Sequence, residues 1–291
     1  MQKLGYFIYA SRPKTLIASI APVLITSIYC YKFYSFNMII FFCTIVASAM
    51  IQIMTNFIND LYDYRKGADT NNRVGPNRMV QKGYLSESDI LYGIYSVFLF
   101  TLLIGCYLVS VGGIIILLIG FSAFLFAYLY TATRFSIAYN GLGEVFVFLY
   151  FGIIASLGTF YLQTFIYSSQ VVLIGSIVGC LNVNLLVINN LRDLSSDRIS
   201  KKKTLIVKFG EKFGKIEFII MFVLAHIFLY FFSLELNDMV IFFSIIPLSC
   251  YGMFIIYKII YDPVFINHSA LPLFSLYIIL FTTLLTYNLY L

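Results

Sequence analysis

Charge is what this sequence lacks most. Only 11% of its 291 residues are Asp, Glu, Lys or Arg, whereas a soluble domain carries about 25% because its surface faces water. That shortage excludes an ordinary water-exposed globular enzyme. A hydrophobic content of 61% excludes a disordered chain. Tryptophan is absent and histidine occurs twice; His226 and His268 lie too far apart to suggest a metal pair. The five cysteines (Cys30, Cys43, Cys106, Cys180, Cys250) form no CxxC pair, which argues against a disulfide scaffold and leaves them as packing residues in apolar segments.

What is present is apolar sequence in long runs. About nine stretches, 16–34, 38–58, 90–109, 114–130, 142–161, 171–188, 218–234, 239–257 and 271–290, are each long enough to cross a ~30 Å hydrocarbon core as a helix. They are continuously apolar rather than alternating, which disfavours a β-barrel. The first is not followed by a small-residue cleavage site and reads as a span, not a signal peptide. The expectation is an all-α polytopic membrane protein: a single transmembrane domain over 1–291, with about nine helices around a central cavity open to the cytoplasmic side.

The charges sort by side. With the N-terminus in the cytoplasm, only Lys32 of the 19 basic residues falls outside, as the positive-inside rule requires. The C-terminus is then external and the location is a cell inner or plasma membrane. The net charge of +6 therefore points to topology and membrane lipid rather than to nucleic acid, and nothing in the sequence predicts a protein partner. Glu235 and Asp238 lie outside, while the other acidic residues share the cytoplasmic face with the basic ones. A loop meant only to grip anionic lipid would not need them.

Two polar constellations stand at corresponding places. Gln52, Asn56, Asn59, Asp60 and Asp63 form one stripe at the end of the second span. Asn189, Asp193 and Asp197 stack at the end of the sixth, with Asn182 continuing that face. Each is an apolar helix ending in Asn, then paired Asp, then a basic loop, so segments 56–69 and 189–197 read as a pseudo-repeat. Such stripes face a bundle interior, since lipid would not tolerate them. Carboxylates gathered near Arg and Lys suit magnesium, which takes one or two carboxylates plus substrate phosphates, with the basic side chains on the remaining phosphate oxygens. The expected ligand is a diphosphate carrying a lipid tail. If its carbon is allylic, ionisation gives a carbocation that an apolar, water-poor cavity protects. A membrane carrier with paired cation sites is the alternative, although its charges would be expected nearer the midplane.

These residues resemble a known family. Asn59-Asp60-x-x-Asp63 with a second Asp193-x-x-x-Asp197 resembles the UbiA superfamily of intramembrane aromatic prenyltransferases. The opening Ser11-Arg12-Pro13-Lys14-Thr15-Leu16, the loops NDLYDYRKGADTNNRVGPNRMVQKG (59–83) and NNLRDLSSDRISKKKTLIVKFG (189–210), and GLGE (141–144) are similar to the branch acting on 1,4-dihydroxy-2-naphthoate. The resemblance implies transfer of a polyprenyl group from polyprenyl diphosphate to that acceptor with loss of carbon dioxide, giving demethylmenaquinol for menaquinone synthesis. Other aromatic acceptors, 4-hydroxybenzoate or homogentisate, remain open. It implies two magnesium ions on Asp60, Asp63, Asp193 and Asp197, with Asp69 as a further ligand where many members place an acid at the position of Gly67. It implies diphosphate contacts from Arg73, Arg78, Lys82, Arg134, Arg192, Arg198 and Lys203, with Lys201 and Lys202 expected to serve topology. Substrate contacts are expected from Arg12, Asn56, Asn59, Tyr130, Glu144, Asn189 and Asn190. Arg12 is a candidate for the acceptor carboxylate. Glu144 would either orient a ring hydroxyl or cap its helix.

Overall fold

The structure, a computed structural model, describes residues 2–67, 75, 78–134 and 136–291. Among them every regular element is helical. A short α1 (Gln2–Ala10) leads through a 3-10 turn at Pro13–Thr15 into α2 (Ile17–Phe33), and the pair is bent by 57°. Then come α3 (Met38–Arg65), α4 (Glu87–Leu129), the short α5 (Ile137–Asn140), and α6 (Gly143–Phe148), which runs through a π-helical turn at Leu149–Ile154 into α7 (Ala155–Thr164). The second half holds α8 (Ser169–Arg192), two short helices α9 (Leu194–Ile199) and α10 (Leu205–Phe209), then α11 (Glu211–Glu235), α12 (Met239–Tyr261), α13 (Pro263–His268) and α14 (Ala270–Tyr290).

Seven of these helical segments are long and apolar enough to cross a membrane, or eight if the bent N-terminal pair is one span. The expected nine do not appear as nine separate helices, because the third and fourth expected spans are two arms of α4. Gly113 breaks that element with φ 63° and ψ −149°, a conformation open to glycine and closed to side chains. The arms then fold back on each other. Phe98 and Phe124 have ring centroids 5.0 Å apart, where a straight helix would separate them by about 39 Å.

α8 is the central helix: 83% of its apolar stretch is buried, against 17% for α3 and for α4. Its Ile177, Val187 and Ile188 join Phe218 and Ala225 of α11 and Phe274 and Tyr277 of α14 in the main core. The α6–α7 segment lies against α8 at van der Waals distance because glycine meets glycine. A Cβ on Gly152 would stand 2.4 Å from the Gly175 carbonyl oxygen and 2.6 Å from the Gly179 Cα. In lipid such close packing of small residues substitutes for the hydrophobic drive that holds soluble helices together.

Asn182 of α8 locks this layer to α2. Pro22 has no N–H, so the carbonyl four residues before it, on Ala18, loses its helical donor. The Asn182 Nδ2 donates to that oxygen at 2.8 Å. It donates equally to Phe151 O at 2.7 Å, within the π turn, where the regular ladder is also interrupted. One side-chain amide thus serves two carbonyls on two neighbouring helices.

The glycine contact can be tested by contrast. Gly152→Ala should lower the unfolding temperature of the detergent-solubilised protein by several degrees, since backbone must move. Gly105→Ala adds the same methyl where nothing lies within 4 Å, and should be neutral or gain up to about 1 kcal/mol from helix propensity. Equal responses of the two variants would refute the packing argument.

Candidate functional site

The first acidic stripe sits on the last turns of α3 and is folded against the chain that returns from the following loop. Asp60 and Asp63 are 3% and 4% exposed. The Asp60 carboxylate accepts from the backbone N–H groups of Met79 (3.0 Å) and Val80 (3.4 Å). Asp63 accepts from Arg78 Nη2 at 2.6 Å and from the Tyr139 hydroxyl at 2.8 Å. Arg78 is itself buried, so this is a desolvated ion pair in which each charge requires the other.

The second stripe is built on the end of α8. Asp193 is the C-cap residue of that helix, and Arg192 grips it in bidentate fashion, Nε to Oδ1 at 2.8 Å and Nη2 to Oδ2 at 2.9 Å. One turn on, in α9, Asp197 is buried, and burial pushes its carboxyl up to about 6, with Asp193 and Asp63 adding to the rise and Lys202 opposing it. The Lys202 ammonium lies 3.3 Å from Asp197 Oδ1 and 3.9 Å from Asp63 Oδ1. The two motifs, far apart in sequence, therefore face one shared cation.

Asp63, Arg78, Arg192, Asp193, Asp197 and Lys202 line a cavity of about 200 Å³ together with Arg12, Asn56, Asn59, Tyr130, Glu144, Asn189 and Asn190. Asn56 donates to Ser11 O at 2.9 Å and so pins the break before α2, where Arg12 adopts the left-handed conformation with φ 53°. Such a conformation costs a non-glycine residue roughly 1–3 kcal/mol and is held only by surrounding structure; here it accompanies a guanidinium that lines the cavity. Asn190 Nδ2 donates to Glu144 Oε1 at 2.9 Å, and Asn59 accepts from the Thr131 hydroxyl.

A second, apolar cavity of about 210 Å³ adjoins the first. Thr55, Tyr130, Val147 and Phe151 line both, so polar head and apolar tail of one ligand have contiguous space. Gly105, Gly120 and Gly158 lie along the apolar part.

The structure does not bring every expected residue to the chamber. Lys82, Arg134, Arg198 and Lys203 are exposed and do not line it. Asp60 also stays off the lining, its carboxylate turned to the Met79 and Val80 amides. Asp69 and Arg73 lie outside the described residues. The inward-facing lysine of the Lys201–Lys203 run is Lys202, which lines the chamber and corrects the expectation that it serves topology. Its neighbours point outward because Lys201 takes a left-handed turn, φ 57°, while the Lys202 and Lys203 amides donate to Asp197 O and Tyr139 O, both at 2.9 Å. Two further residues went unread. Tyr139 bridges to Asp63, and Lys66 donates to Thr131 O (2.6 Å), Thr133 O (2.8 Å) and Ser136 Oγ (3.2 Å), its ammonium pKa lowered chiefly by burial. The sequence signal for Lys66 is its place beside the first acidic motif; Tyr139, 76 residues from Asp63, has none.

Among the described residues no three acidic, His or Cys side chains gather tightly enough to hold a metal ion alone. The donor set nonetheless fits magnesium acting with a diphosphate. Hard carboxylate oxygens from both motifs converge on a cation, the Lys202 ammonium, and magnesium completes its octahedron from phosphate and water.

The chain is 32% identical over 225 residues to the 1,4-dihydroxy-2-naphthoate octaprenyltransferase of Haemophilus influenzae, covering 74% of this chain and 72% of that one. It is 30% identical over 206 residues to the enzyme of the same name from Bacillus subtilis, covering 69% and 65%. In fold it is similar to a UbiA homolog from Archaeoglobus fulgidus whose structure was solved bound to GPP and Mg2+, with a TM-score of 0.70, 15% identity, and coverage of 98% and 99%. Residues 19–264 match the UbiA prenyltransferase family, and the chain belongs to that family.

Proposed function

We propose that this membrane protein transfers a polyprenyl group from polyprenyl diphosphate to 1,4-dihydroxy-2-naphthoate in a magnesium-dependent reaction, with loss of carbon dioxide, to give demethylmenaquinol. The observation that carries the reading is the junction of two cavities. A chamber rimmed by carboxylates and cations opens, past Tyr130 and Phe151, into an apolar space suited to an isoprenoid tail. The naphthoate acceptor rests on the relatives' names; 4-hydroxybenzoate and homogentisate are the competing acceptors.

In this reading Asp63, Asp193 and Asp197 hold two magnesium ions, with Asp60 and Asp69 completing the set; when bound, magnesium neutralises charge on the departing diphosphate. Asp60 has a second task, holding the segment that carries Arg78. Arg78, Arg192 and Lys202 bind phosphate oxygens, while the exposed Lys82, Arg134, Arg198 and Lys203, off the lining, are set aside from that role. The allylic C–O bond breaks and its electron pair leaves with diphosphate. The acceptor ring attacks through the carbon bearing its carboxylate, and carbon dioxide departs leaving its bonding pair to restore the aromatic ring. No proton must be removed at that carbon, so no strong base is needed. Arg12 holds the acceptor carboxylate, and Glu144, set by Asn190, orients a ring hydroxyl. Asn56, Asn59 and Asn189 line the space between the two substrates.

Asp63→Ala, Asp193→Ala and Asp197→Ala should each cut kcat on the order of 100-fold or more, and Asp60→Ala likewise, while all four insert normally. EDTA should stop the wild type and magnesium restore it. Full turnover in EDTA, with purified protein, polyprenyl diphosphate and naphthoate, would remove the metal from the mechanism.

The two guanidiniums should separate kinetically. Arg78→Lys keeps charge but loses bidentate geometry, and should raise the KM for prenyl diphosphate by about tenfold, the size of a lost charge-assisted hydrogen bond. Arg12→Ala should raise the KM for the aromatic acid instead. Exchange of these two patterns would swap the substrate assignments.

Both acidic helix ends are proposed to face the cytoplasm, with the N-terminus inside and the C-terminus outside. In a variant stripped of its five cysteines, Lys201→Cys should react with a membrane-impermeant thiol reagent only from the cytoplasmic face, and Glu235→Cys only from the opposite face. Labelling of position 201 from outside would invert the topology.

A further inference from the structure

Each described carboxylate of the two motifs already has a partner from the chain itself. Asp193 is gripped by Arg192, Asp63 by Arg78 and Tyr139, and Asp60 by the Met79 and Val80 amides. Arg78 and Arg192 each serve the motif beside them. Among the described residues Lys202 differs, because its ammonium reaches one carboxylate from each motif, Asp197 at 3.3 Å and Asp63 at 3.9 Å. It also lies 4.9 Å from the centroid of the Tyr139 ring, whose hydroxyl donates to Asp63. Its backbone is fixed by the hydrogen bond to Asp197 O, while its side chain is a flexible stem ending in a compact point charge.

We propose that Lys202 is an internal cation that competes with the divalent metal for Asp63 and Asp197, so that metal and diphosphate bind as a mutually dependent pair. The inference rests on the metal–diphosphate reading above and adds a thermodynamic constraint to it. A divalent ion arriving alone must displace the ammonium and then sit beside it and beside Arg78. A diphosphate arriving alone meets two buried carboxylates. When both arrive, Lys202 leaves the carboxylates for phosphate oxygens and the metal takes its place, so every charge exchanges one partner for another of the same sign. Removing the ammonium should therefore strengthen binding of the metal alone and weaken its dependence on diphosphate. A lysine that merely stabilises the loop, or merely contacts diphosphate, does not produce the first effect.

The test uses the full-length protein in detergent, with Mn2+ as the probe metal, its binding followed by electron paramagnetic resonance with and without inorganic pyrophosphate. Wild type should bind Mn2+ weakly alone and about tenfold more tightly with pyrophosphate, a size usual for coupling between two ligands. Lys202→Met should bind Mn2+ alone about tenfold more tightly than wild type, with the coupling reduced to near unity. Lys202→Arg should retain weak binding of metal alone, and Lys201→Gln, an exposed neighbour, should match wild type. Lys202→Gln replaces Lys202→Met if the latter is not monodisperse. Unchanged or weaker binding of Mn2+ alone in the neutral variants, with pyrophosphate-dependent binding intact in wild type, overturns the competition and leaves the metal–diphosphate reading standing. Absence of Mn2+ binding to wild type even with pyrophosphate overturns both.

Discussion

Carboxylates at the wrong ends of helices are the constraint on which this structure turns. Asp60 and Asp63 lie in the last turns of α3, and Asp193 caps the end of α8. The C-terminus of a helix carries partial negative charge, which disfavours an anion there, and burial adds a desolvation penalty. The fold meets that demand locally, with Arg78, Arg192, Lys202 and backbone amides. The same demand makes the site receptive to a divalent cation. Segments 78–86 and 193–204 are therefore more than connectors: they carry the counter-charges Arg78 and Lys202 and are tied to the acids they neutralise.

Helix packing brings the two acidic ends together. α3 and α8 are far apart in sequence, and the elements between them have to fold away. Gly113 lets α4 double back, and glycines at 152, 175 and 179 let the α6–α7 segment lie directly on α8. Asn182 then ties the irregularities of two helices to each other, serving the carbonyl orphaned by Pro22 and one in the π turn. Local departures from regular helix, each costly alone, are thereby matched in pairs beneath the polar chamber.

Much of this was legible in the sequence because a membrane imposes simple rules. Apolar length gave the all-helical class and the long helices, though not their number, and the steps between Asn56, Asn59, Asp60 and Asp63 gave the stripe. Asn189, Asp193 and Asp197 stay on one face although α8 ends at Arg192, because Asp193 N–H donates to Asn189 O and Asp197 N–H to Asp193 O, carrying the four-residue spacing across the break. Legibility failed where the helices stopped. In the run Lys201-Lys202-Lys203 composition is uniform, and only the left-handed backbone at Lys201 decides that the middle lysine turns inward. The family resemblance implies diphosphate contacts from Lys82, Arg134, Arg198 and Lys203, whose exposed positions lie off the chamber. Lys66 and Tyr139 escaped notice because their partners, loop carbonyls and a distant carboxylate, are set by tertiary contacts alone.

The same physics connects the chamber to the apolar space beneath it. A charged rim raises the cost of leaving water out unless every charge is paired, while a carbocation requires that water be left out. The two requirements are reconciled by dividing the ligand's space at Tyr130 and Phe151, with ion pairs above and hydrocarbon below. Glu144 lies close to that boundary, buried and bonded to Asn190 rather than to a cation of the rim. In the proposed reaction a carboxyl so placed would serve the aromatic acceptor, whereas Asp63 and Asp197, joined through Lys202, would serve the diphosphate. In the proposed reaction, the separation of the acidic residues into these two environments would let the adjoining cavities stabilise a leaving anion and shelter the cation it leaves behind.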